Sequence, residues 1–268
     1  MSEPTTPDRS RRWRALLDLL AERGRLSVVE AAASLGVSEA TVRRDFTALA
    51  AQQLVTRTHG GVVATAVAYD LPARYRPGGA DAAKERIAAA AADLVEPGMV
   101  VGFNGGTTTS ATARRMAGRT DLVETSSTTP TVTVVTNALN IATEMVLRPR
   151  IRTVSLGGVA RPESYELTGP LASLVLNELW LDLLMLGVDG FSLDGGASCG
   201  HEGEAGTNAL MVDRASKVVV VAGSEKLGRR AFARICDVTE VSVLVTDSGI
   251  DPAFVSGLRE ADVEVLTV

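Results

Sequence analysis

This chain of 268 residues has few cysteines, no long apolar run and no recognisable secretion signal. Its two cysteines, Cys199 and Cys236, are far apart and lack metal-ligand spacing, so neither a disulfide framework nor a zinc site is indicated. The best apolar stretch, residues 87–101, is interrupted by two acidic residues and a proline. Residues 1–14 are polar and arginine-rich, without a following apolar segment and cleavage site. We therefore expect a cytoplasmic protein without a membrane span, metal or cofactor.

Length and charge predict two domains with different partners. A hydrophobic content of 46% is enough to bury one small and one medium core. Residues 1–61 contain nine arginines and seven acidic residues, and the remainder contains 18 basic and 25 acidic residues. The basic end is therefore the candidate nucleic-acid-binding end. A pI near 5.2 opposes non-specific coating of nucleic acid but permits selective binding through one small module.

The N-terminal segment has the pattern of a helix-turn-helix domain. Apolar periodicity predicts a helix over residues 10–23. Ser27 and Glu30 form a capping-box pattern that starts a short second helix. After a glycine turn, Ser38 is placed to cap a third helix over residues 39–52. Helix, short turn and helix is the arrangement that places a recognition helix in the DNA major groove.

The third helix has an apolar stripe and an opposite face suited to DNA. If Val42, Phe46 and Leu49 point inward, the opposite face and its margins present Ala40, Thr41, Arg43, Arg44 and Thr47. Arg44 is placed to pair with a guanine edge and Arg43 with a phosphate, while the small residues suit thymine methyl groups. The alternative is that adjacent arginines simply occupy a solvated helix face.

A hairpin pattern after the third helix predicts the wing of a winged helix. Residues 54–57 alternate like a strand, a turn follows at His59-Gly60-Gly61, and residues 62–63 return. The caps, helices and wing in this order indicate a winged helix-turn-helix more specifically than any one of these signals does alone. It predicts a winged helix-turn-helix domain over residues 9–63 whose DNA-binding residues are Ser27, Ser38, Ala40, Thr41, Arg43, Arg44, Thr47, Arg57 and His59.

The rest of the chain alternates strand-like and helical segments. A linker rich in proline and glycine is predicted over residues 64–82, and a surface loop without assigned function over residues 125–131. Residues 83–268 then contain seven strand-like runs: 100–103, 132–136, 151–156, 183–186, 218–222, 241–246 and 263–268. This alternation predicts a mostly parallel α/β domain.

In such domains ligands bind at the carboxyl ends of the strands. The richest strand end is the run Asn104, Gly105, Gly106, Thr107, Thr108 and Thr109, followed by a helix that we expect to begin near Ser110. Its backbone N–H groups, hydroxyls and helix N-terminus are suited to a phosphate. The alternative is a tight turn in which Thr107 or Thr108 caps the helix.

Other strand exits add candidates for the same ligand. These are Gly157, Gly158, Asp189 and Lys226, together with His201 and Glu204 in a glycine-rich loop. Lys226 can neutralise a phosphate and Asp189 can accept a sugar hydroxyl, although both residue types are common in loops without ligands. His201 and Glu204 either contact the ligand or cap the helix that follows.

Several sequence blocks together resemble one known family. They are Leu26-Ser27-Val28, Leu35-Gly36-Val37-Ser38, Thr41-Val42-Arg43-Arg44-Asp45, His59-Gly60-Gly61, Lys84-Glu85-Arg86-Ile87-Ala88, Gly106-Thr107-Thr108-Thr109, Val134-Val135-Thr136-Asn137, Leu156-Gly157-Gly158, Gly169-Pro170, Gly187-Val188-Asp189-Gly190 and Gly228-Arg229-Arg230-Ala231-Phe232. Over about residues 9–248 the chain resembles the deoR family of bacterial transcriptional regulators. The family's usual acidic residue in the strand-end loop is Asn104 here.

The resemblance implies what each domain does. It implies a sensor domain similar to ribose-5-phosphate isomerase and a repressor of carbohydrate metabolism genes whose binding to operator DNA is modulated by a phosphorylated sugar. We also expect a homo-oligomer, a dimer or a tetramer, because one small helix-turn-helix makes too few contacts for selective genomic binding.

Enzymatic functions are the alternatives. A sugar-phosphate isomerase needs a positioned base and electrophile and has no use for a winged helix. A dinucleotide-dependent oxidoreductase is disfavoured because the glycines at 102, 105 and 106 depart from the G-x-G-x-x-G spacing. A kinase is not supported, since no Gly-Lys-Ser/Thr follows the glycines.

Overall fold

The computed structural model describes residues 12–13, 15–16, 19–20, 25–51, 55–58, 60–64, 82–123 and 130–268. It divides the chain into two compact units, Met1–Ala73 and Arg74–Val268. All but the two end residues of the predicted linker lie outside the described residues. Those two, Ala64 and Ala82, belong to the flanking strand and helix rather than to a linker. Most of the predicted 125–131 loop also lies outside them.

The N-terminal unit is a winged helix-turn-helix. The described residues between positions 12 and 20 are helical, in agreement with the predicted first helix. Two further helices follow, α1 (Val28–Leu35) and α2 (Glu39–Ala51). A three-stranded antiparallel sheet in the order β1-β3-β2 completes the unit, with β1 at Arg25–Ser27, β2 at Val55–Thr58 and β3 at Gly61–Ala64. The strand β1 was not predicted, because three residues are too few to show alternation.

Local sequence signals explain where α1 begins and ends. The Ser27 Oγ accepts from the Glu30 N–H at 3.1 Å, and the Ser27 N–H donates to Glu30 Oε2 at 2.9 Å. The capping box is therefore complete. Gly36 ends the helix with φ 63°, a left-handed conformation that glycine adopts without strain. The unit's core then consists of Leu16, Leu20, Leu26, Val28, Ala31, Val42, Phe46, Leu49, Val55 and Val62.

The C-terminal unit is built on a seven-stranded parallel sheet in the order β15-β14-β12-β9-β4-β5-β6. Its strands are β4 (Val100–Phe103), β5 (Val132–Thr136), β6 (Ile151–Ser155), β9 (Leu183–Leu186), β12 (Val218–Val221), β14 (Val243–Thr246) and β15 (Glu264–Thr267). All seven predicted strands are present, with ends that differ by at most two residues. The prediction of a mostly parallel α/β domain is confirmed.

Helices cover the two faces of this sheet. They are α3 (Ala82–Ala92), α4 (Thr107–Ala117), α5 (Thr120–Val123), α6 (Leu139–Met145), α7 (Leu171–Leu176), α8 (Glu202–Asp213) and α9 (Pro252–Glu260). One core cluster includes side chains of α3, α4 and α6, and a second includes side chains of α7, α8 and α9. Strands such as β12, four consecutive buried valines, contribute to both clusters. Burial on both faces explains their continuous apolar sequences.

Short antiparallel pieces near the strand ends were not predicted. They are the β7-β8 hairpin (Val159–Ala160 and Leu167–Thr168) and the sheet β10-β11-β13 (Gly190–Ser192, Gly196–Cys199 and Ala233–Cys236). These strands have two to four residues each and include glycines, so their sequences lack a strand signature.

The order of the parallel strands reverses between β4 and β9. From β4 the chain proceeds through β5 to β6 on one side, whereas β9, β12, β14 and β15 extend on the other. The crevice beyond the carboxyl ends of two such strands is the usual ligand position in open α/β sheets. Among the described residues, no helix has the length and apolar character that crossing a membrane requires.

Candidate functional site

The helix α2 presents the polar face that its periodicity predicts. Val42, Phe46 and Leu49 are buried, with at most 2% of each side chain's surface exposed. On the other side Ala40, Arg43, Arg44 and Thr47 are exposed, and Thr41 is partly exposed at the margin. The residues predicted to read base edges and phosphates therefore share one accessible face.

Contacts of α2 hold this face in position. Ser38 Oγ accepts from the Thr41 N–H at 3.3 Å, which confirms Ser38 as the cap. Thr47 Oγ1 accepts from Arg57 Nη1 at 3.1 Å, so the first wing strand contacts α2. Arg43 pairs with Glu39 at 2.7 Å in an exposed i,i+4 ion pair. His59 lies outside the described residues.

Asp45 anchors α2 to the N-terminal helical residues from its buried side. Its carboxylate accepts from Arg12 Nε at 2.5 Å, Arg12 Nη2 at 3.1 Å and Trp13 Nε1 at 3.0 Å. Only 5% of the Asp45 side chain and 10% of the Arg12 side chain is exposed. Asp45 follows Arg43 and Arg44 directly, so this buried contact fixes the helix that carries them. The sequence block containing Asp45 was recognised, but its anchoring role was not.

In the C-terminal unit, a cavity of about 400 Å³ opens at the reversal point between β4 and β9. Of the predicted ligand residues, Asn104, Gly105, Gly106, Thr107, Thr108, Asp189, Glu204 and Lys226 line it. The structure therefore brings together residues from three strand ends and one helix. Further lining residues include Lys84, Arg161, Glu163, Glu166, His201 and Asn208.

The N-terminus of α4 forms one wall of the cavity. The helix begins at Thr107, not near Ser110 as expected, because the Ser110 N–H already donates to the Gly106 carbonyl at 3.0 Å. The N-cap is Gly106, at φ 145°, and it supplies no side-chain cap, so neither threonine caps the helix. The first N–H groups of a helix lack intrahelical acceptors and carry partial positive charge. Because the sequence predicts a phosphate at this position, we call residues 105–108 the anion cradle.

Asn104 ties the two strands of the reversal point together. Its Nδ2 donates to the Gly187 carbonyl at 2.9 Å, and its Oδ1 accepts from the Gly187 N–H at 2.7 Å. An asparagine matches this donor and acceptor pair, whereas a carboxylate can match only the N–H. With 2% of its surface exposed, Asn104 positions the cradle beside β9.

Lys226 reaches the cavity from a 3-10 turn at Ser224–Lys226. Its Nζ donates to the Val188 carbonyl at 2.5 Å and lies 3.9 Å from Asp189 Oδ1. Asp247 holds this turn, accepting from the Ser224 N–H and Ser224 Oγ at 2.8 Å each. Burial alone would raise the pKa of Asp247, but these hydrogen bonds, together with those from the backbone N–H groups of Gly249 and of Asp247 itself, outweigh it and lower the pKa.

The opposite wall carries an ion pair and a helix cap. Arg161 Nε donates to Glu204 Oε1 at 2.9 Å, and Glu204 is buried. His201 is the N-cap of α8, where its Nδ1 accepts from the Gly203 N–H at 3.0 Å. His201 fits both alternatives, because it caps α8 and lines the cavity. Glu204 lines the cavity while paired with Arg161.

Glu166 lines the cavity and is buried, with 5% of its surface exposed. Its Oε2 accepts from Asn137 Nδ2 at 3.0 Å and from Asn208 Nδ2 at 3.4 Å. A Cβ added at Gly105 would lie 2.4 Å from Glu166 Oε1, so this oxygen lies directly against the cradle. Burial, assisted by the negative charge of Glu204, raises the pKa of Glu166 to about 7.

Three predicted ligand residues do not line the cavity. Thr109 Oγ1 donates to the Gly106 carbonyl at 3.1 Å within the first turn of α4. A Cβ at Gly158 would lie 2.6 Å from the Thr168 carbonyl oxygen, and one at Gly157 would lie 3.2 Å from the Leu171 Cβ. In this structure the two glycines permit close packing on β8 and α7.

Sequence reasoning missed Arg161, Glu166 and Lys84. The first two follow the Gly157-Gly158 strand exit by only a few residues, so charged residues in that loop were an available signal. Lys84 belongs to one of the family blocks, but its sequence context does not indicate a ligand contact. In the part of the chain that the structure describes, no cluster of three or more His, Cys, Asp or Glu side chains is arranged to hold a metal ion.

Family comparisons agree with this two-part organisation. Residues 12–66 match the DeoR-like helix-turn-helix domain, and residues 80–248 match the DeoR C-terminal sensor domain. The chain belongs to the DeoR family. The predicted family, the fold class and the role of a transcriptional regulator are thereby confirmed.

Curated relatives of this DeoR-family protein align over nearly its full length. A putative aga operon transcriptional repressor of Escherichia coli O157:H7 is 30% identical over 97% of this chain and 94% of its own. The HTH-type transcriptional regulator GlpR of Haloferax volcanii is 32% identical over 95% and 96%. The glycerol-3-phosphate regulon repressor of Escherichia coli K12 is 26% identical over 89% and 91%. The names of these relatives indicate a regulator rather than an enzyme.

Solved structures give a weaker likeness. Ribose 5-phosphate isomerase A of Methanocaldococcus jannaschii has a TM-score of 0.39 and 21% identity over 54% of this chain and 53% of its own. The full-length sorbitol operon regulator SorC of Klebsiella pneumoniae also scores 0.39, with 14% identity over 94% and 99%. At this TM-score neither likeness bears on function.

Proposed function

We propose that this protein is a repressor of carbohydrate metabolism genes whose binding to operator DNA is modulated by a phosphorylated sugar. The observation that carries the proposal is the anion cradle at the N-terminus of α4, which opens into a cavity lined by polar side chains. Main-chain N–H groups at a helix N-terminus bind phosphate without a metal ion.

The rest of the cavity suits a polyhydroxylated molecule attached to that phosphate. Lys84 and Lys226 supply positive charge, and Asp189 and Glu163 supply exposed carboxylates that can accept hydroxyl hydrogen bonds. A cavity of about 400 Å³ is within the size range of small-molecule sites. The relatives named as repressors of the aga operon and the glycerol-3-phosphate regulon support a carbohydrate-related effector.

We place DNA binding on the exposed face of α2 and on the wing. Arg44 would read a base edge, Arg43 would contact a phosphate, and Arg57 would hold the wing against the recognition helix. We further propose that the protein acts as a dimer or a tetramer, so that two recognition helices bind paired half-sites. A strict monomer in light scattering of the full chain at micromolar concentration would contradict the oligomer.

A screen followed by a DNA-binding assay tests the proposal. Phosphorylated sugars and their unphosphorylated counterparts are compared for their effect on the thermal unfolding of the full chain, because a ligand of the native state raises its stability. Operator DNA is selected from a random duplex library, and its affinity is measured with and without each stabilising compound. We expect phosphorylated compounds alone to stabilise the protein and to change operator affinity. If unphosphorylated sugars act equally well, or if the stabilising compound is isomerised, the proposal is wrong.

A further inference from the structure

The carboxyl group of Glu166 contacts the anion cradle with one oxygen and protein amides with the other. Its Oε2 accepts from the side-chain amides of Asn137 and Asn208. Among the described residues, no hydrogen bond reaches Oε1, which lies against the backbone of Gly105. The residue is 95% buried and lines the cavity, so the surface that Oε1 retains faces the cavity rather than bulk solvent.

This geometry decides where a proton resides when the acid is neutral. Oε2 receives two N–H donors, and an oxygen that also carried the proton would place its hydrogen against those donors. The proton of the neutral acid therefore sits on Oε1, pointing into the cavity. In the ionised form, the same oxygen is an acceptor with negative charge beside the helix N-terminus.

An anion in the cradle would distinguish sharply between these two forms. The neutral acid offers it an O–H donor, whereas the ionised acid opposes it with a like charge in a buried site. We propose that Glu166 binds the anionic group of the effector as a neutral acid, donating its Oε1 hydroxyl, so that effector binding to the ionised form takes up one proton. This inference rests on the proposed phosphate effector and assigns the residue that makes its recognition depend on pH.

The charged groups around Glu166 are compatible with this proposal. Burial favours the neutral form most, followed by the charge of Glu204 on α8, while the Asn137 and Asn208 hydrogen bonds favour the ionised form. With a smaller contribution from Asp189 after β9, the balance raises the pKa to about 7. The other charged or titratable side chains that face the cavity are Lys84 on α3, Arg161 and Glu163 before β8, Cys199 on β11, His201 at the start of α8 and Lys226 in the 3-10 turn. Arg161 is already paired with Glu204.

Sulfate is a suitable probe because its charge does not change between pH 6.0 and pH 8.5. Its affinity for the full chain is measured by calorimetry at both pH values, with chloride holding the ionic strength constant. Only the neutral fraction of Glu166 is competent to bind, so affinity scales with that fraction. A group with a pKa of about 7 then predicts an affinity about 30-fold weaker at pH 8.5 than at pH 6.0. Buffers of different ionisation enthalpy measure the proton uptake directly.

Two variants separate Glu166 from its neighbours. Glu166→Gln is a permanently neutral amide donor, and we expect it to bind sulfate at both pH values as tightly as the wild type does at pH 6.0. Glu163→Gln removes an exposed carboxylate from the same cavity and should retain the pH dependence. His201→Asn, which keeps a helix cap, should retain it as well. Thermal unfolding checks that each variant is folded.

The results that overturn the inference are specific. A wild-type affinity that changes less than about 3-fold between the two pH values contradicts it, as does a pH dependence that survives in Glu166→Gln or disappears in His201→Asn. Weak binding by folded Glu166→Gln at both pH values would show that an ionised carboxylate is needed instead. If the wild type binds no sulfate at either pH, the anion cradle is wrong, and the proposed function fails together with this inference.

Discussion

Replacing Asp45 by alanine tests whether a buried ion pair holds the recognition helix in place. The substitution removes the acceptor of three N–H groups, two from Arg12 and one from Trp13. Only 10% of the Arg12 side chain is exposed, so its charge would stay buried after losing both hydrogen bonds to the carboxylate. Breaking such a pair from one side costs about 3–5 kcal/mol. Small domains are stabilised by only about 5–15 kcal/mol in total, so the N-terminal unit should lose a large part of its stability.

Tryptophan fluorescence can follow this unit separately. The chain has two tryptophans, Trp13 and the 70% exposed Trp180, and a Trp180→Phe background leaves Trp13 as the reporter. Urea unfolding of the full chain, with and without Asp45→Ala, then measures the difference in free energy of unfolding. Circular dichroism over the same range reports on both units, and we expect Asp45→Ala to shift only the transition that coincides with the Trp13 fluorescence change.

Two variants make this result interpretable. Glu39→Ala removes an exposed ion pair with Arg43 on the same helix, and it should lower the free energy of unfolding by no more than about 0.5 kcal/mol. Asp45→Asn keeps the shape but loses the charge, and it should be destabilised nearly as much as Asp45→Ala. If Asp45→Ala costs less than about 1 kcal/mol, the carboxylate does not anchor α2, and the argument from burial is refuted.

Further predictions concern the two proposed binding sites. Arg44→Ala should weaken binding to the selected operator DNA by about 1–3 kcal/mol in anisotropy titrations, while sugar-phosphate binding persists. Undiminished DNA affinity would show that Arg44 does not belong to the recognition surface. Gly106→Val places a branched side chain at φ 145° and 2.9 Å from Thr109 Oγ1, so a folded variant should bind operator DNA without responding to the effector. A normal response would place the effector elsewhere. An ionised Asp at position 104 (Asn104→Asp) cannot donate to the Gly187 carbonyl. The free energy of unfolding, measured with urea at pH 8, should therefore fall by about 1–3 kcal/mol. Burial raises the pKa of such a carboxyl, so the deficit relative to wild type should shrink as the pH falls and the protonated form donates again. Equal stability at pH 8 would contradict this account of Asn104.

Much of the N-terminal unit could be predicted because its signals are local. The capping box of Ser27 and Glu30 acts over three residues, and the stripe of α2 repeats every three to four residues. Such patterns depend on the helix itself and not on distant parts of the chain. The anchoring role of Asp45 could not be predicted, because its partner Arg12 lies 33 positions away in another helix.

The sequence alone also determined the strands of the C-terminal sheet and the loops at their carboxyl ends. Continuous apolar runs mark strands that are buried on both faces, and glycines followed by hydroxyl residues mark one strand exit as a candidate anion site. These features follow from the chemistry of a few adjacent residues.

Only the tertiary structure decided which strand exits form one cavity. Asn104 meets Gly187 across 83 positions because β4 pairs with β9. Glu166 meets Asn208 across 42 positions because α8 packs against β8. Gly157 and Gly158, equally placed at a strand end, are packed against the chain instead. Hydrophobic periodicity shows that a segment is a strand but carries no information about its neighbours in the sheet, so the partners of buried polar groups emerge only when the chain is folded.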